Sequence, residues 1–529
     1  MSLSNAPTIA TLAGEIGFSV PADYNASRLL WDNLATNRER QAILSDSGNF
    51  TYGQLAMEAA KIGNALLQAG CKPQDRILLF LNDEPAYPAA IMGALRAGFV
   101  PVLINTLTPS DLIRYCLEDS RATAAVVSKD HAELFTRKAI TGTECHTVIV
   151  SAVTQPWATM ESELAEYPST AADMAFWMYS SGSTGKPKGV VHQHEDALYT
   201  AWSYARHVLK INRDDVCFSV PKIFFAYGFG NSITFPMSVG ATSVLMAARP
   251  EPTRIYEHIN RYRPTLFFGL PTLYNALIRA ESAKQANLSS VRLCVSAAEV
   301  LSKELSKAWR DQFGHVIVEG LGSTELLHIY LSNTEQEQKS GSAGKPVPGY
   351  SVRLETSNGL EARVGEEGVM AVRALSGATH YWNRPQNTAK TMRNGWIYTG
   401  DRFVCDQDGF YFFKGRADDL IKVSGQWVYP LEIELALNEH PMVAASCVQA
   451  LELADKRFTI VAWVVLATGI VQNTKFQQDL QNYTKQMLLP HKYPREIIVL
   501  HELPKTGTGK IDRQLLKAGY GEPGLESTD

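Results

Sequence analysis

The feature that most restricts the fold of this sequence is Tyr179-Ser-Ser-Gly-Ser-Thr-Gly-Lys-Pro-Lys-Gly189, which follows a short apolar run at 174–178 that reads as a buried strand. Glycines let a loop take positive φ and turn its N–H groups inward, and serine and threonine hydroxyls add donors. Lys186 and Lys188 add positive charge that suits phosphate. On this chemistry the loop is a polyphosphate cradle set at the end of a strand. A flexible Gly/Ser surface turn would share the composition. It is not a Walker A loop, because no glycine stands five residues before Gly185 and Lys186 is followed by proline.

The surrounding pattern is that of an α/β protein. A helical period over 55–69 puts Leu55, Ala59, Ile62, Leu66 and Leu67 on one face, and strands are expected at 75–81, 99–104, 124–128 and 147–150 with an apolar helix at 86–97. Such alternation with short connections predicts a parallel sheet covered on both faces. Further buried strands are expected at 242–246, 265–269 and 292–297, and an apolar helix at 229–239. Short β segments rich in Gly and charge over 351–413 predict a smaller β subdomain. A helix at 431–438, strands at 444–450 and 458–466, a helix at 476–489 and a strand at 495–500 predict a small α+β domain. At 529 residues the chain is too long for one core. The expected organisation is a large N-terminal domain of doubly wound sheets plus a β subdomain, 1–417, and a small mobile α+β domain, 418–529.

Charge and cysteine usage narrow the class. A net charge of -4 with 20% charged residues argues against a nucleic-acid binder. Seven scattered cysteines, never spaced C-x-x-C, read as reduced thiols rather than a disulfide framework or zinc site. Residues 1–24 lack a basic segment followed by an apolar core, and no apolar run approaches the ~20 residues of a membrane span. A cytoplasmic protein with no membrane partner, monomeric or homodimeric, is the expectation.

Four more stretches carry chemistry. Glu319-Gly-Leu-Gly-Ser-Thr-Glu325 ends a predicted strand and puts small residues and a carboxylate at a sheet's C-terminal edge, where open α/β sheets bind ligands. The same residues also fit a helix start, with Ser323 or Thr324 as cap and Glu325 in the first turn. Asp401, after Thr-Gly, is suited to accept two ribose hydroxyls, or is a turn aspartate. Lys414-Gly-Arg-Ala-Asp-Asp-Leu-Ile-Lys-Val-Ser-Gly425 could be a solvated charged turn. In Leu503-Pro-Lys-Thr-Gly-Thr-Gly-Lys-Ile-Asp-Arg513 two glycines flank a threonine just before Lys510, which puts that lysine on a mobile loop. His192 and His194 could suggest a metal site, but at i, i+2 they would not share a helix face. Aromatics at 221–228 could be core, the better reading for Phe224.

Taken together, these motifs resemble the acyl-adenylate-forming ligases, a family that includes acyl-CoA synthetases, luciferases and nonribosomal peptide adenylation domains. The likeness runs over essentially the whole chain, with the motifs in the family's order. It implies that Ser180, Ser181, Gly182, Ser183, Thr184, Gly185 and Lys188 take the β,γ-phosphates of ATP, and that Ala297, Ala298, Glu319, Gly320 and Leu321 lie by adenine. Leu321 stands where an aromatic is usual. It implies that Glu325 holds Mg²⁺, that Thr324 contacts the α-phosphate and the carboxylate, and that Asp401 and Arg416 bind ribose. Asp418 becomes the hinge, Lys510 the catalytic lysine, and Gly425 part of the pantetheine tunnel for coenzyme A, the expected acceptor. Phe225 takes the gate position. Ala226, Tyr227, Gly228, Gly322, His328 and Ile329 would line the acid pocket, whose mix of one aromatic, small residues and one imidazole suits a flat, compact ring. The implied activity is ATP-dependent ligation of an aryl acid to coenzyme A, with benzoate expected and 4-hydroxybenzoate the alternative. A nucleotide sensor on the same fold would be expected to lack Lys510 or Glu325.

Overall fold

The computed structural model describes residues 7–151, 157–180, 186–417, 421–423, 426–428, 430–452, 458–467, 469–470, 475–488, 491–504 and 511–519. The architecture is mixed α/β, with a large N-terminal sheet region and a smaller C-terminal one. Two compact units account for the chain. The first comprises Met1–Arg353, Ala371–Thr399 and Gly409–Tyr411; the second comprises Leu354–Met370, Gly400–Asp408 and Phe412–Asp529. The expected boundary at 417/418 falls within the last segment of the second unit.

Two sheets build the first unit. A seven-stranded sheet runs in the order His380–Tyr381, Lys188–Gln193, Met174–Ser180, Val100–Leu103, Arg76–Phe80, Ala122–Ser128, Thr147–Ser151. Its central strands are mostly apolar because both faces are covered. Ile77 and Leu79 enter one core, whereas Leu78 and Phe80 enter another. Helix Tyr52–Gln68 begins with a capping box on Thr51 and buries Leu55, Ala59, Ile62 and Leu66. Leu67, expected on that face, is instead 42% exposed, one step of 100° off the stripe.

The nine-stranded sheet orders Lys345–Pro346, Ile329–Ser332, Ile317–Gly322, Leu293–Ser296, Leu266–Gly269, Val216–Ser219, Thr242–Leu245, Gln41–Ser45, Phe50–Thr51. Neither sheet is wholly parallel, which corrects the expectation. Met174–Ser180 runs parallel to Val100–Leu103 but antiparallel to Lys188–Gln193. Ile317–Gly322 likewise runs parallel to Leu293–Ser296 and antiparallel to Ile329–Ser332. The helix expected at 229–239 is interrupted by a π-helical turn, Gly230–Thr234, between Ala226–Phe229 and Phe235–Val239. A five-stranded β sheet over 351–416 matches the predicted β subdomain.

In the second unit, Val443–Glu452 pairs antiparallel with Phe458–Leu466, which pairs parallel with Glu496–Val499. Helices Pro430–Asn438 and Phe476–Met487 add Ile433, Leu437, Phe476 and Leu480 to its core. Among the described residues no helix is long and apolar enough to cross a membrane. All seven cysteines are free thiols, and six are buried.

Candidate active site

Both principal motifs sit at hairpins where a parallel strand meets an antiparallel one. Ser180 ends its strand opposite Lys188, with Tyr179 opposite Gly189. Ser181, Gly182, Ser183, Thr184 and Gly185 lie outside the described residues. Beyond them the Lys186 ammonium stands 5.1 Å from the Tyr115 ring centroid. In the second hairpin, Gly320, Leu321 and Gly322 face Ser332, Leu331 and Ile329. The chain then makes one 3₁₀ turn, Thr324–Leu326, capped by the Ser323 side chain, which accepts from the Leu326 N–H at 3.3 Å. Of the two sequence readings, cap and first turn are present, but Leu327 at φ 66° ends the helix after a single turn.

Segment 380–384 joins the two hairpins. Tyr381 pairs with Val190 across the strands, and the Trp382 N–H donates to the Gly189 carbonyl at 2.8 Å. Arg384 bonds the buried Asp119 at 2.9 Å. So anchored, Tyr381 donates its hydroxyl to Glu325 Oε1 at 2.7 Å, while the Lys188 ammonium lies 4.2 Å from its ring centroid. The Ala378 N–H donates to the Glu325 carbonyl at 2.7 Å. One tyrosine therefore touches Lys188 of the first hairpin and the carboxylate of the second turn together. Sequence reasoning missed Tyr381, which has no motif of its own.

His192 and His194 serve as backbone anchors. His192 Nε2 donates to the Thr324 carbonyl at 2.8 Å, and Nδ1 is 2.9 Å from Asp196 Oδ2. Burial raises the Asp196 carboxyl, with the His192 hydrogen bond opposing. His194 Nδ1 accepts from the Ala26 N–H at 3.0 Å, and burial lowers its imidazole to about 4.

The strand register sets Ser296 against Glu319, bringing Ala297 and Ala298 beside Glu319 and Gly320. Ala298 takes φ 72°, turning the chain after the strand. The Glu319 carboxyl accepts from the Leu301 N–H at 3.0 Å, and burial pushes it up to about 8. It also borders a cavity of about 270 Å³ with Leu301, Lys303, Arg310 and Asn333.

The expected acid-pocket residues converge. His328 Nε2 donates to the Tyr227 carbonyl at 3.2 Å, and the two rings are 5.5 Å apart. Burial lowers His328 to about 3, so it is neutral. Its Nδ1 is buried and has no hydrogen-bond partner among the described residues. Tyr204 and Phe235 stand 5.4 and 4.4 Å from the same imidazole. Tyr227 donates to the Val295 carbonyl at 3.3 Å, and burial raises its hydroxyl, which stays protonated. A Cβ at Gly228 would come within 2.1 Å of the Lys222 carbonyl, and one at Gly322 within 2.6 Å of the His328 carbonyl. Only glycine fits either place. Ala226 is buried, and the half-buried Phe225 packs edge-on against Phe224 at 4.6 Å.

Of the remaining expected residues, Asp401 and Arg416 lie in the second unit and pair at 3.4 Å. Asp418, Gly425 and Lys510 lie outside the described residues.

One strand ends at Ser180 opposite Lys188, another leads into the turn carrying Glu325, and Tyr381 touches both on a mixed α/β frame; the chain belongs to the AMP-binding enzyme family. The model of that family matches residues 30–382, and that of the AMP-binding enzyme C-terminal domain matches 432–510. Over 94% of its length the chain is 39% identical to a benzoate–CoA ligase of Thauera aromatica, covering 97% of that protein. It is 38% identical to a 4-hydroxybenzoate–CoA/benzoate–CoA ligase of Rhodopseudomonas palustris, covering 94% of each. The solved benzoate CoA ligase of Burkholderia xenovorans LB400 superposes with a TM-score of 0.87 at 36% identity, covering 93% of this chain and all of that one.

Proposed function

We propose that this chain is an AMP-forming aryl acid–CoA ligase whose preferred acid is benzoate. The observation that carries this reading is the convergence of Ala226, Tyr227, Gly228, Gly322, His328 and Ile329 beside the Thr324–Glu325 turn. Gly228 and Gly322 let their segments pack closely against the Lys222 and His328 backbones, and the mix of aromatic rings, small residues and one neutral imidazole suits a flat ring rather than an alkyl chain.

A carboxylate is a poor electrophile because it is a delocalised anion without a leaving group. Joining it to AMP supplies one, releases pyrophosphate, and lets the thiol of coenzyme A displace AMP in a second step. The difficulty is electrostatic, since carboxylate and triphosphate are both anions. In this reading Ser180, the 181–185 loop and Lys188 hold the β,γ-phosphates, and Ala297, Ala298, Glu319, Gly320 and Leu321 border adenine. Asp401 and Arg416 hold ribose. Thr324 and Lys510 orient the carboxylate against the α-phosphate, with Phe225 as gate. No general base is needed, as the acid is already ionised.

Glu325 fits Mg²⁺: it is a hard oxygen ligand held by Tyr381, and no group of three or more candidate ligands surrounds it among the described residues. One carboxylate plus substrate phosphates is the usual Mg²⁺ arrangement. When bound, the ion would offset phosphate charge. Asp418 would serve as the pivot that exchanges the Lys510 loop for Gly425 and the pantetheine tunnel. The reading is of a cytoplasmic enzyme acting on small molecules.

One observation favours 4-hydroxybenzoate as a second reading. The His328 Nε2–H is committed to a carbonyl, so the orphaned Nδ1 is an acceptor that could pair with a ring hydroxyl. Without such a partner, burying the hydroxyl costs ~1–3 kcal/mol, roughly ten- to a hundredfold in kcat/KM. The test is kcat/KM for benzoate, 4-hydroxybenzoate, 2-aminobenzoate and a medium-chain fatty acid at saturating ATP and coenzyme A. Benzoate should lead, with fluorobenzoates close behind. A lead for 4-hydroxybenzoate favours the second reading, and a lead for the fatty acid overturns both.

A further inference from the structure

Strand Lys188–Gln193 presents Lys188 and His192 on one face, since side chains alternate along a strand. Lys188 reaches Tyr381, and His192 runs inward. The imidazole and the Asp196 carboxylate are both fully buried. Every part of the ring is specified. Phe176 stacks on it at 5.6 Å and 23°, Nδ1 faces Asp196 Oδ2, and Nε2 faces the carbonyl of Thr324, 132 positions away. Because a carbonyl only accepts, Nε2 carries a proton, and a second proton lies in the contact between Nδ1 and Asp196 Oδ2. Asp196 is fixed in turn, since Oδ2 also accepts the Gln193 N–H at 3.0 Å and so caps helix His194–Thr200.

The turn at the far end needs such a hold. It has one helical turn, and Leu327 leaves it at φ 66°, a conformation costly for a branched side chain. Within the turn, the Thr324 carbonyl receives only the Leu327 N–H at 3.1 Å. From outside, Ala378 holds the Glu325 carbonyl, Ser376 the Leu326 carbonyl, and His192 the carbonyl of Thr324 itself.

We propose that His192, oriented by Asp196, is a positioning residue for acid activation: it holds the Thr324 carbonyl so that the Thr324 hydroxyl and Glu325 carboxylate keep their aim. The proposal rests on the AMP-forming ligase reading. Asp196 orients the ring as outer partners orient ligating groups elsewhere, where their loss costs on the order of 10- to 100-fold.

The experiment compares wild type, His192→Phe, His192→Gln and Asp196→Asn by pyrophosphate–ATP exchange with benzoate, alongside AMP affinity by calorimetry. Phenylalanine keeps the stacking on Phe176 and removes both ring nitrogens; glutamine restores an N–H at similar reach. His192→Phe should lower exchange kcat on the order of 10- to 100-fold, with KM values and AMP affinity within about threefold. His192→Gln should recover to within about fivefold of wild type, and Asp196→Asn should fall in the same direction as the phenylalanine variant. Wild-type exchange by His192→Phe overturns the proposal. Equal loss in the Phe and Gln variants with a matching fall in AMP affinity does so too, as the mark of general loosening. If His192→Phe does not fold, Asp196→Asn decides alone by the same criteria. No exchange by wild type with any aryl acid overturns the functional reading itself, and the proposal with it.

Discussion

At the scale of single residues, the Tyr381 hydroxyl is the contact on which the carboxylate of Glu325 depends. A hydrogen bond to a charged group contributes about 1.5–3 kcal/mol. Tyr381→Phe keeps the ring under Lys188 and removes only that donor. It should therefore slow adenylation roughly ten- to a hundredfold while thermal stability changes little. Pyrophosphate exchange is the measurement, and an unchanged rate would mean that Glu325 is aimed without Tyr381. Gly228 makes a different prediction, because the atoms that a Cβ would meet belong to the Lys222 and Pro221 backbones and cannot rotate away. Gly228→Ala should destabilise the first unit by ~1–3 kcal/mol, read as a fall in unfolding midpoint. Undiminished stability would show that the 221–229 turn yields. The Gly228 and Gly322 positions could be picked out in the sequence from the motifs around them. The reason each must be glycine lies in backbone segments that only the fold brings near.

At the scale of elements, two buried histidines tie a helix start and a hairpin turn to distant segments, His194 to Ala26 and His328 to Tyr227. His194 sits at about 4 and His328 at about 3, both below the ordinary value of 6.5, because burial penalises their charged forms. The unfolded chain therefore binds protons more tightly than the folded one. The stability that the neutral rings confer is fully present above pH 6.5 and is lost as pH falls toward 4. Each pH unit across that window removes up to about 1.4 kcal/mol per histidine. Denaturant unfolding at pH 7, 6 and 5 should show the decline, and His194→Asn, which keeps an acceptor for the Ala26 N–H, should make it shallower. Parallel declines in the two proteins would count against the linkage. Most of the expected elements follow the apolar periods read from the chain to within three residues, the interrupted helix at 229–239 being the exception. Strand direction does not, because a strand buried on both faces is apolar throughout whether its neighbour runs parallel or antiparallel.

At the scale of the whole molecule, the functional reading assigns different surfaces of the C-terminal domain to two half-reactions. Lys510→Ala should abolish acid activation, at a cost of ~3–4 kcal/mol or roughly 10²–10³ in rate, and spare AMP binding by the large domain. Coenzyme A transfer from supplied benzoyl-AMP should persist in that variant. Near wild-type pyrophosphate exchange would remove Lys510 from the mechanism. Transfer lost in proportion to activation would argue against an alternation of surfaces.

The sequence by itself determined the α/β class and the order of the motifs, and it carried the resemblance from which the roles of the phosphate loop, the carboxylate turn and the lysine loop are proposed. Each is a run of neighbouring residues whose types already state what they can bind. The proposed acid-pocket set came from the same resemblance, on two short segments, Phe225 to Gly228 and Gly322 to Ile329. Only the tertiary structure decided that both motifs close hairpins at a change of strand direction. Only there does Tyr381 reach Glu325 across 56 positions, and His192 reach Thr324 across 132. Those pairings leave no local period or composition. They depend on strand order, which the packing of whole sheets selects, so a histidine that could suggest a metal ligand and an unremarked tyrosine become the supports of the site.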